Sequence, residues 1–102
     1  MVRKRKVIWT FTARNEFKDT CAYWNARNRS HTYANKLRKL VTATLEKIVS
    51  SPKTGIPTQF EGVRFVVIRD YLLFYLEDGN NLIVVSFWDS RQDPKKLETR
   101  LT

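Results

Sequence analysis

The fold is decided by residues 71–94, whose sequence is YLLFYLEDGNNLIVVSFWDSRQDP. Two runs rich in β-branched and aromatic residues flank Asp78-Gly79-Asn80. Aspartate, glycine and asparagine tolerate the positive φ angles of a tight turn. A third apolar run, Val63 to Ile68, precedes them, and only Arg69-Asp70 separates it from Tyr71. The three runs predict an antiparallel meander of three strands.

The N-terminal part of the chain predicts one further strand and a first helix. Lys6 to Thr12 alternates between two sets of side chains, one of them clearly apolar, and predicts a short strand. Thr12 is the predicted N-cap of the helix, with Glu16 in the first turn beside the positive end of the helix dipole. Apolar residues recur at i, i+4, i+8 and i+11 from Ala13, so one side of this helix is predicted to be buried.

A second helix is predicted between Ser30, its cap, and Ser51-Pro52, where proline ends it. Its apolar residues keep a 3.6-residue period. The short break between the two helices predicts an antiparallel helical hairpin. Lys53 to Gly62 is predicted to be a connection, and Lys95 to Leu101 a terminal helical turn or two.

These elements predict the order β-α-α-β-β-β-α in a single domain of residues 1–102. The predicted fold class is α+β, in which an antiparallel sheet, made of the N-terminal strand plus the three-strand meander, packs against the two-helix hairpin. A chain of 102 residues with 42% hydrophobic residues is long and apolar enough to form one buried core.

The formal net charge of +9 is the strongest global feature of the chain. Such a surface attracts polyanions, among which nucleic acid and acidic proteins are favoured over lipid, because the basic residues are spread over several elements. No apolar run approaches the length of about 20 residues that spans a membrane. The single cysteine, Cys21, allows no internal disulfide, which predicts a cytoplasmic protein. One histidine and no glycine-rich phosphate loop predict no metal site and no cofactor.

The order of elements, together with three local features, resembles the RelE/ParE superfamily of bacterial toxins from type II toxin–antitoxin systems. The features are Ser51-Pro52 at the end of the long helix, the Tyr71 to Tyr75 strand, and the exit Trp88 to Pro94, in which an arginine stands a few residues before a proline. The resemblance extends from Val7 to Leu97. It implies a toxin with a role in plasmid stabilisation, held inactive by a cognate antitoxin protein.

The superfamily places two activities on one fold. RelE-like members are ribosome-dependent endonucleases that cleave mRNA, and their site uses two arginines, a further cation and a C-terminal tyrosine or histidine. In this chain Arg64 and Arg91 match two of the positions, whereas Leu72 stands at a third and no tyrosine or histidine follows Trp88. The chain is therefore predicted to act as ParE-like members do, on DNA gyrase, with mRNA cleavage at the ribosome as the alternative. If the chain is an enzyme, it is an endoribonuclease and Arg64 and Arg91 are its catalytic residues.

Contact with the target or the antitoxin is predicted for residues around the meander and its exit. Arg91 is interpreted either as such a contact or as a cation tied to Asp89 or Asp93, and Arg64 either as a contact or as an exposed strand residue. A third hypothesis is a basic nucleic-acid-binding module without toxicity. The antitoxin is predicted to cover the apolar face of the meander opposite the helices and to bury Arg91 against an acidic residue. The predicted contact residues are Arg64, Arg69, Trp88, Arg91, Lys95 and Lys96.

Overall fold

The predicted meander forms the middle of a five-stranded sheet. The structure is a computed structural model and describes residues 5–92. Both predicted helices are present and lie together on one face of the sheet, which confirms an α+β fold with a helical hairpin packed on a sheet. The elements are β1 (Lys6–Trp9), α1 (Phe11–Asn28), α2 (Thr32–Ser50), a 3₁₀ turn (Pro52–Thr54), β2 (Ile56–Pro57), β3 (Val63–Ile68), β4 (Tyr71–Asp78) and β5 (Asn81–Asp89).

The sheet is mixed, so the prediction of a wholly antiparallel sheet is wrong in one respect. The strand order is β1-β5-β4-β3-β2, and β1 pairs in parallel with β5, placing Val7 beside Leu82. All other pairs are antiparallel. Short turns fix the direction of the meander strands, but no hairpin joins β1 to its neighbour, so its direction depends on the path of the intervening helices.

The connection predicted for Lys53 to Gly62 contains a fifth strand. β2 pairs antiparallel with β3 through only two residues, which places Ile56 opposite Phe65 and Pro57 opposite Arg64. A two-residue strand is too short to give an alternating pattern, and proline is tolerated there because β2 is an edge strand. The described elements thus run β-α-α-β-β-β-β, while the predicted helix at Lys95 to Leu101 lies outside the described residues.

Both helices begin at different residues from those predicted. Strand β1 ends at Trp9, and Thr10 rather than Thr12 is the N-cap of α1, accepting a hydrogen bond from the Ala13 N–H at 3.1 Å. Glu16 consequently lies beyond the first turn. The N-cap of α2 is His31, which makes no side-chain cap bond; Ser30 instead accepts a bond from the Thr32 N–H at 3.1 Å.

The core lies between the helices and one face of the sheet. Strand residues alternate between faces, so every second residue of β4 and β5 points at the helices until a bulge in β5 shifts the register after Val84. Neither described helix has an apolar stretch long enough to cross a lipid bilayer. The buried residues of this core include Leu37, Val41, Leu45 and Ile48 from α2 and Leu73, Tyr75, Leu82, Val84 and Phe87 from the sheet.

Apolar residues also occupy the opposite face of the sheet, away from both helices. Phe74 and Trp88 are each 3% exposed there, and Phe74 contacts Phe65 with ring centroids 5.6 Å apart. At the margin of this face, Val67 is 62% exposed and Ile56 is 56% exposed. The outer face is thus apolar and only partly covered.

Candidate functional site

A polar groove lies where β5 ends, between the end of the sheet and α1. We call it the β5 groove; it has a volume of about 460 Å³. It contains Arg91, one of the predicted site residues, together with the carboxylates of both neighbouring elements. The residues that line it are Glu16, Asp19, Thr20, Tyr23, Tyr71, Phe87, Asp89, Arg91 and Gln92.

Arg91 is fixed by a two-point bond to Asp89. Its Nε donates to Asp89 Oδ1 at 2.9 Å and its Nη2 to Oδ2 at 2.7 Å, while the Arg91 backbone N–H also donates to Oδ1 at 2.9 Å. This fork geometry is the strong form of an arginine–carboxylate pair. The bonds to Arg91 lower the pKa of Asp89, and Asp89 in turn raises the pKa of Arg91. Of the interpretations of Arg91, the one that ties it to Asp89 agrees with this geometry.

The Asp89→Asn variant should lose part of the pH dependence of stability. Because the pKa of Asp89 is lowered in the folded state, its carboxylate stabilises the fold at neutral pH, and this contribution is lost as the pH falls through the folded-state pKa. The free energy of unfolding of the wild type, from urea denaturation, should therefore exceed that of the variant at about pH 7 and converge with it near about pH 2. Arg91→Gln should behave in the same way. A difference that is equal at both pH values would contradict this role.

The floor of the groove is a buried aromatic cluster. Tyr71 stacks on Phe87 with ring centroids 4.9 Å apart, and its hydroxyl accepts a hydrogen bond from Trp24 Nε1 at 2.7 Å. Burial raises the pKa of Tyr71, so the hydroxyl stays protonated at neutral pH. Tyr71 is therefore a rigid hydrogen-bonding group on the floor and not a base.

Glu16 fastens the wall of the groove to the sheet. Its Oε1 accepts hydrogen bonds from Ser86 Oγ at 3.0 Å and from the Phe87 N–H at 3.2 Å. β1 pairs with β5 only as far as Val84, so the next part of β5 has a free edge on that side, and the helix carboxylate supplies an acceptor there. Glu16 is thus not the first-turn residue that the sequence predicts beside the positive end of the helix dipole. It joins α1 to β5 instead.

Arg64 holds the connection between α2 and β2. Its Nη1 donates to the carbonyls of Gly55 at 2.7 Å and of Lys53 at 3.4 Å. The buried Tyr75 hydroxyl lies beside it, donating to the Pro52 carbonyl at 2.6 Å and accepting from the Gly55 N–H at 2.9 Å. These side chains and carbonyls form one network, so Arg64 is not simply an exposed strand residue.

The structure does not bring the two predicted catalytic arginines together. Arg64 lies opposite Tyr75, whereas Asp89, which holds Arg91, lies opposite Tyr71, four residues away along β4. At 3.3 Å per residue this is about 13 Å, and Arg91 lies beyond the strand end. The two guanidinium groups are also held by different partners, Arg64 by the Gly55 and Lys53 carbonyls and Arg91 by Asp89.

Arg69 is at the same end of the sheet as Arg91. It lies in the β3–β4 turn with a φ of 56°, and its guanidinium stands over the Tyr33 ring at 5.4 Å. The neighbouring Asp70 carbonyl accepts hydrogen bonds from the Ser90 N–H and hydroxyl at 2.9 and 2.7 Å. This turn therefore lies against the exit from β5, so Arg69 and Arg91 are at the same end of the sheet.

The remaining predicted contact residues differ in position. Leu72 pairs with Trp88 on the outer face, and Trp88 is so deeply buried that contact with a partner would require rearrangement there. Lys95 and Lys96 lie outside the described residues.

Within residues 5–92, no group of three or more histidine, cysteine, aspartate or glutamate side chains is arranged to hold a metal ion.

Comparison with known proteins identifies related families and folds. A family model described as "ParE toxin of type II toxin-antitoxin system, parDE" matches residues 7–94. The structure is similar to a chain of the chromosomal ParDE toxin–antitoxin system from P. aeruginosa, with a TM-score of 0.69 and 13% sequence identity, over 84% of this chain and 96% of that chain. At this identity the structural likeness shows a shared fold. No curated protein sequence matches the chain.

Proposed function

The chain belongs to the ParE toxin family of type II toxin–antitoxin systems, and we propose that it arrests growth by binding DNA gyrase, without cleaving mRNA. The observation that supports this proposal most is the separation of Arg64 from Arg91. Each guanidinium already has close acceptors within the fold, Arg64 on backbone carbonyls and Arg91 on Asp89. A binding activity requires only a surface, whereas RNA cleavage requires several groups that converge on one phosphate.

The chemistry of RNA cleavage finds little support around either arginine. Attack by the 2′-hydroxyl needs a base, and departure of the leaving oxygen needs an acid. Burial raises the pKa of Tyr75 beside Arg64, and its hydroxyl is already bonded to Pro52 and Gly55. The carboxylate nearest to Arg91, that of Asp89, has a lowered pKa and accepts bonds from Arg91 itself. Neither group is arranged to move a proton at neutral pH.

A reconstituted translation reaction tests the proposal against the endonuclease alternative. The purified chain is added to ribosomes translating a defined mRNA, and the 5′ ends of the RNA are mapped by primer extension. We expect intact mRNA with and without ribosomes, because no acid–base pair is assembled at either arginine among residues 5–92. The Arg64→Gln variant serves as the comparison, since it removes a predicted catalytic cation. Cuts within codons that require ribosomes and disappear in this variant would refute the proposal.

The same proposal includes a cognate antitoxin, bound across the outer face of the sheet. This face carries exposed Val67 and Ile56 beside half-buried Phe65, so its margin offers apolar area that a partner segment can bury. Trp88, on this face, directly precedes Asp89, the partner of Arg91, so a segment that crosses the face can extend to Arg91 at the strand end. Nη1 of Arg91 makes no hydrogen bond to a described residue, so it is free to donate to an acidic side chain of the antitoxin.

Arg91→Ala should weaken binding of the antitoxin about tenfold or more, because the charge-assisted bond to the antitoxin is lost. Isothermal titration of the purified pair measures the dissociation constant. Lys47→Ala is the matched control, since it removes one exposed positive charge from the helical layer and should leave affinity nearly unchanged. If Arg91→Ala bound the antitoxin as tightly as the wild type, this contact would be excluded.

A further inference from the structure

Among the described residues, positive charge is concentrated on the helical layer. Residues 11–50, which comprise both helices, contain eight lysines and arginines against three acidic residues, a net charge of +5. The other described residues, 5–10 and 51–92, contain six against five, a net charge of +1. The sheet and its connections are therefore nearly neutral, and the helical layer carries most of the net positive charge of the described residues.

Three lysines of α2 form a stripe on its solvent side. Lys36, Lys39 and Lys47 are all exposed. Lys39 is three residues and Lys47 eleven residues after Lys36, which places all three within one arc of the helix. The opposite arc holds the buried residues of α2 that face the sheet. We call these three residues the lysine stripe. From Lys36 to Lys47 it extends about 16 Å along the helix axis.

No lysine of the stripe forms an ion pair with a residue of the described part of the chain, and the acidic residue beside them on α2 is the exposed Glu46. The ion pairs among residues 5–92 are Arg5 with Glu77 and Arg91 with Asp89, and neither involves the helices. A further cation of α2, Arg38, reaches across to α1, where its guanidinium stands over the Phe17 ring at 5.5 Å. The three lysines of the stripe are thus exposed cations without an ion-pair partner among residues 5–92.

We propose that the lysine stripe binds the sugar–phosphate backbone of duplex DNA, without sequence specificity. Its length corresponds to about five phosphates of one strand at 3.4 Å of axial rise each. Flexible lysines on a straight helix are suited to phosphates, since backbone contacts need charge and spacing but no shaped pocket. This surface is additional to any contact with a protein target, and the proposal does not depend on that target.

The composition of the surface favours a phosphate backbone over a protein or a membrane. Protein interfaces have an apolar centre enriched in aromatic residues, whereas the large apolar residue exposed beside the stripe on α2 is Leu40, at 38%. A helix that lies on a lipid surface turns its apolar side outward, but the apolar side of α2 is in the core. Exposed lysines on one side of α2, without ion-pair partners among the described residues, remain as the recognition feature.

Fluorescence anisotropy with a labelled duplex of about 20 bp, at salt concentrations from about 50 to 200 mM, tests the proposal. The triple variant Lys36→Gln, Lys39→Gln, Lys47→Gln should bind at least tenfold more weakly than the wild type at the lowest salt. The slope of log affinity against log salt should fall in magnitude by about 3, since each phosphate contact contributes about 0.9. Lys6→Gln, Lys53→Gln, Arg69→Gln is the control triple, which removes the same charge from outside the two helices and should change the slope by less than about 1.

Three results would overturn the proposal. One is no measurable binding of the duplex by the wild type at the lowest salt. Another is an equal fall in slope for both triple variants, which would assign binding to net charge and not to the lysine stripe. The third is tighter binding of a single-stranded RNA of the same length, which would assign the stripe to a different nucleic acid. Far-ultraviolet circular dichroism establishes that both variants are folded, since all six substitutions are at exposed positions.

Discussion

Gly55→Ala should lower the free energy of unfolding by about 3 kcal/mol, a large part of the stability of a small domain. A Cβ at this position would lie 2.3 Å from the Tyr75 hydroxyl oxygen and 2.8 Å from its ring, so the ring must move. Tyr75 is fully buried, and its hydroxyl links Gly55 to Pro52. The substitution therefore introduces a clash and breaks a buried hydrogen-bond network, which urea denaturation measures as a lower midpoint.

A double-mutant cycle with Tyr75→Phe separates the clash from the lost hydrogen bonds. Tyr75→Phe alone should cost about 1–3 kcal/mol, because it leaves the Gly55 N–H and the Pro52 carbonyl without their partner. The double variant should cost less than the sum of the two single variants, since the closest clashing atom is gone. Gly62→Ala is the control: its cost, about 1 kcal/mol, comes from a φ of 79° and not from a neighbour. Additive costs at Gly55 and Tyr75 would contradict the network.

Most of the fold could be predicted from local patterns in the sequence. The meander follows from three apolar runs with turn residues between them, and the helical hairpin follows from two 3.6-residue periods. The direction of β1 could not be predicted in this way, because it depends on a pairing with β5 between Val7 and Leu82, far apart in the chain. Strand β2 was missed because two residues, Ile56 and Pro57, give no periodicity.

The candidate site was less accessible to sequence reasoning than the fold. The sequence allows Arg91 to be tied to Asp89 or to Asp93, as the alternative to a contact with the target or antitoxin, because both carboxylates are near it in the strand exit. The role of Arg64 was not foreseen, since its partners belong to the connection before β2 and only the folded chain brings them together. The bond from Glu16 to Ser86 joins residues 70 positions apart, and no local signal indicates it.

The second large effect expected is inhibition of DNA gyrase by the purified chain. Membership of the ParE toxin family and the separation of Arg64 from Arg91 both favour a binding mechanism over RNA cleavage. We expect ATP-dependent supercoiling of a relaxed plasmid to fall at least tenfold once the toxin exceeds gyrase in concentration, because a bound toxin stops each enzyme molecule. Addition of the cognate antitoxin should restore supercoiling, since the antitoxin is proposed to cover the toxin surface.

A supercoiling assay, followed by agarose gel electrophoresis, is therefore the most direct test of the proposed action on gyrase. A control reaction replaces gyrase with an unrelated topoisomerase that relaxes the same plasmid, so that simple coating of the DNA would inhibit both enzymes. The proposal predicts that gyrase is inhibited and the control enzyme is not, in parallel with intact mRNA in the translation reaction. Undiminished supercoiling, together with ribosome-dependent cleavage of mRNA, would contradict it.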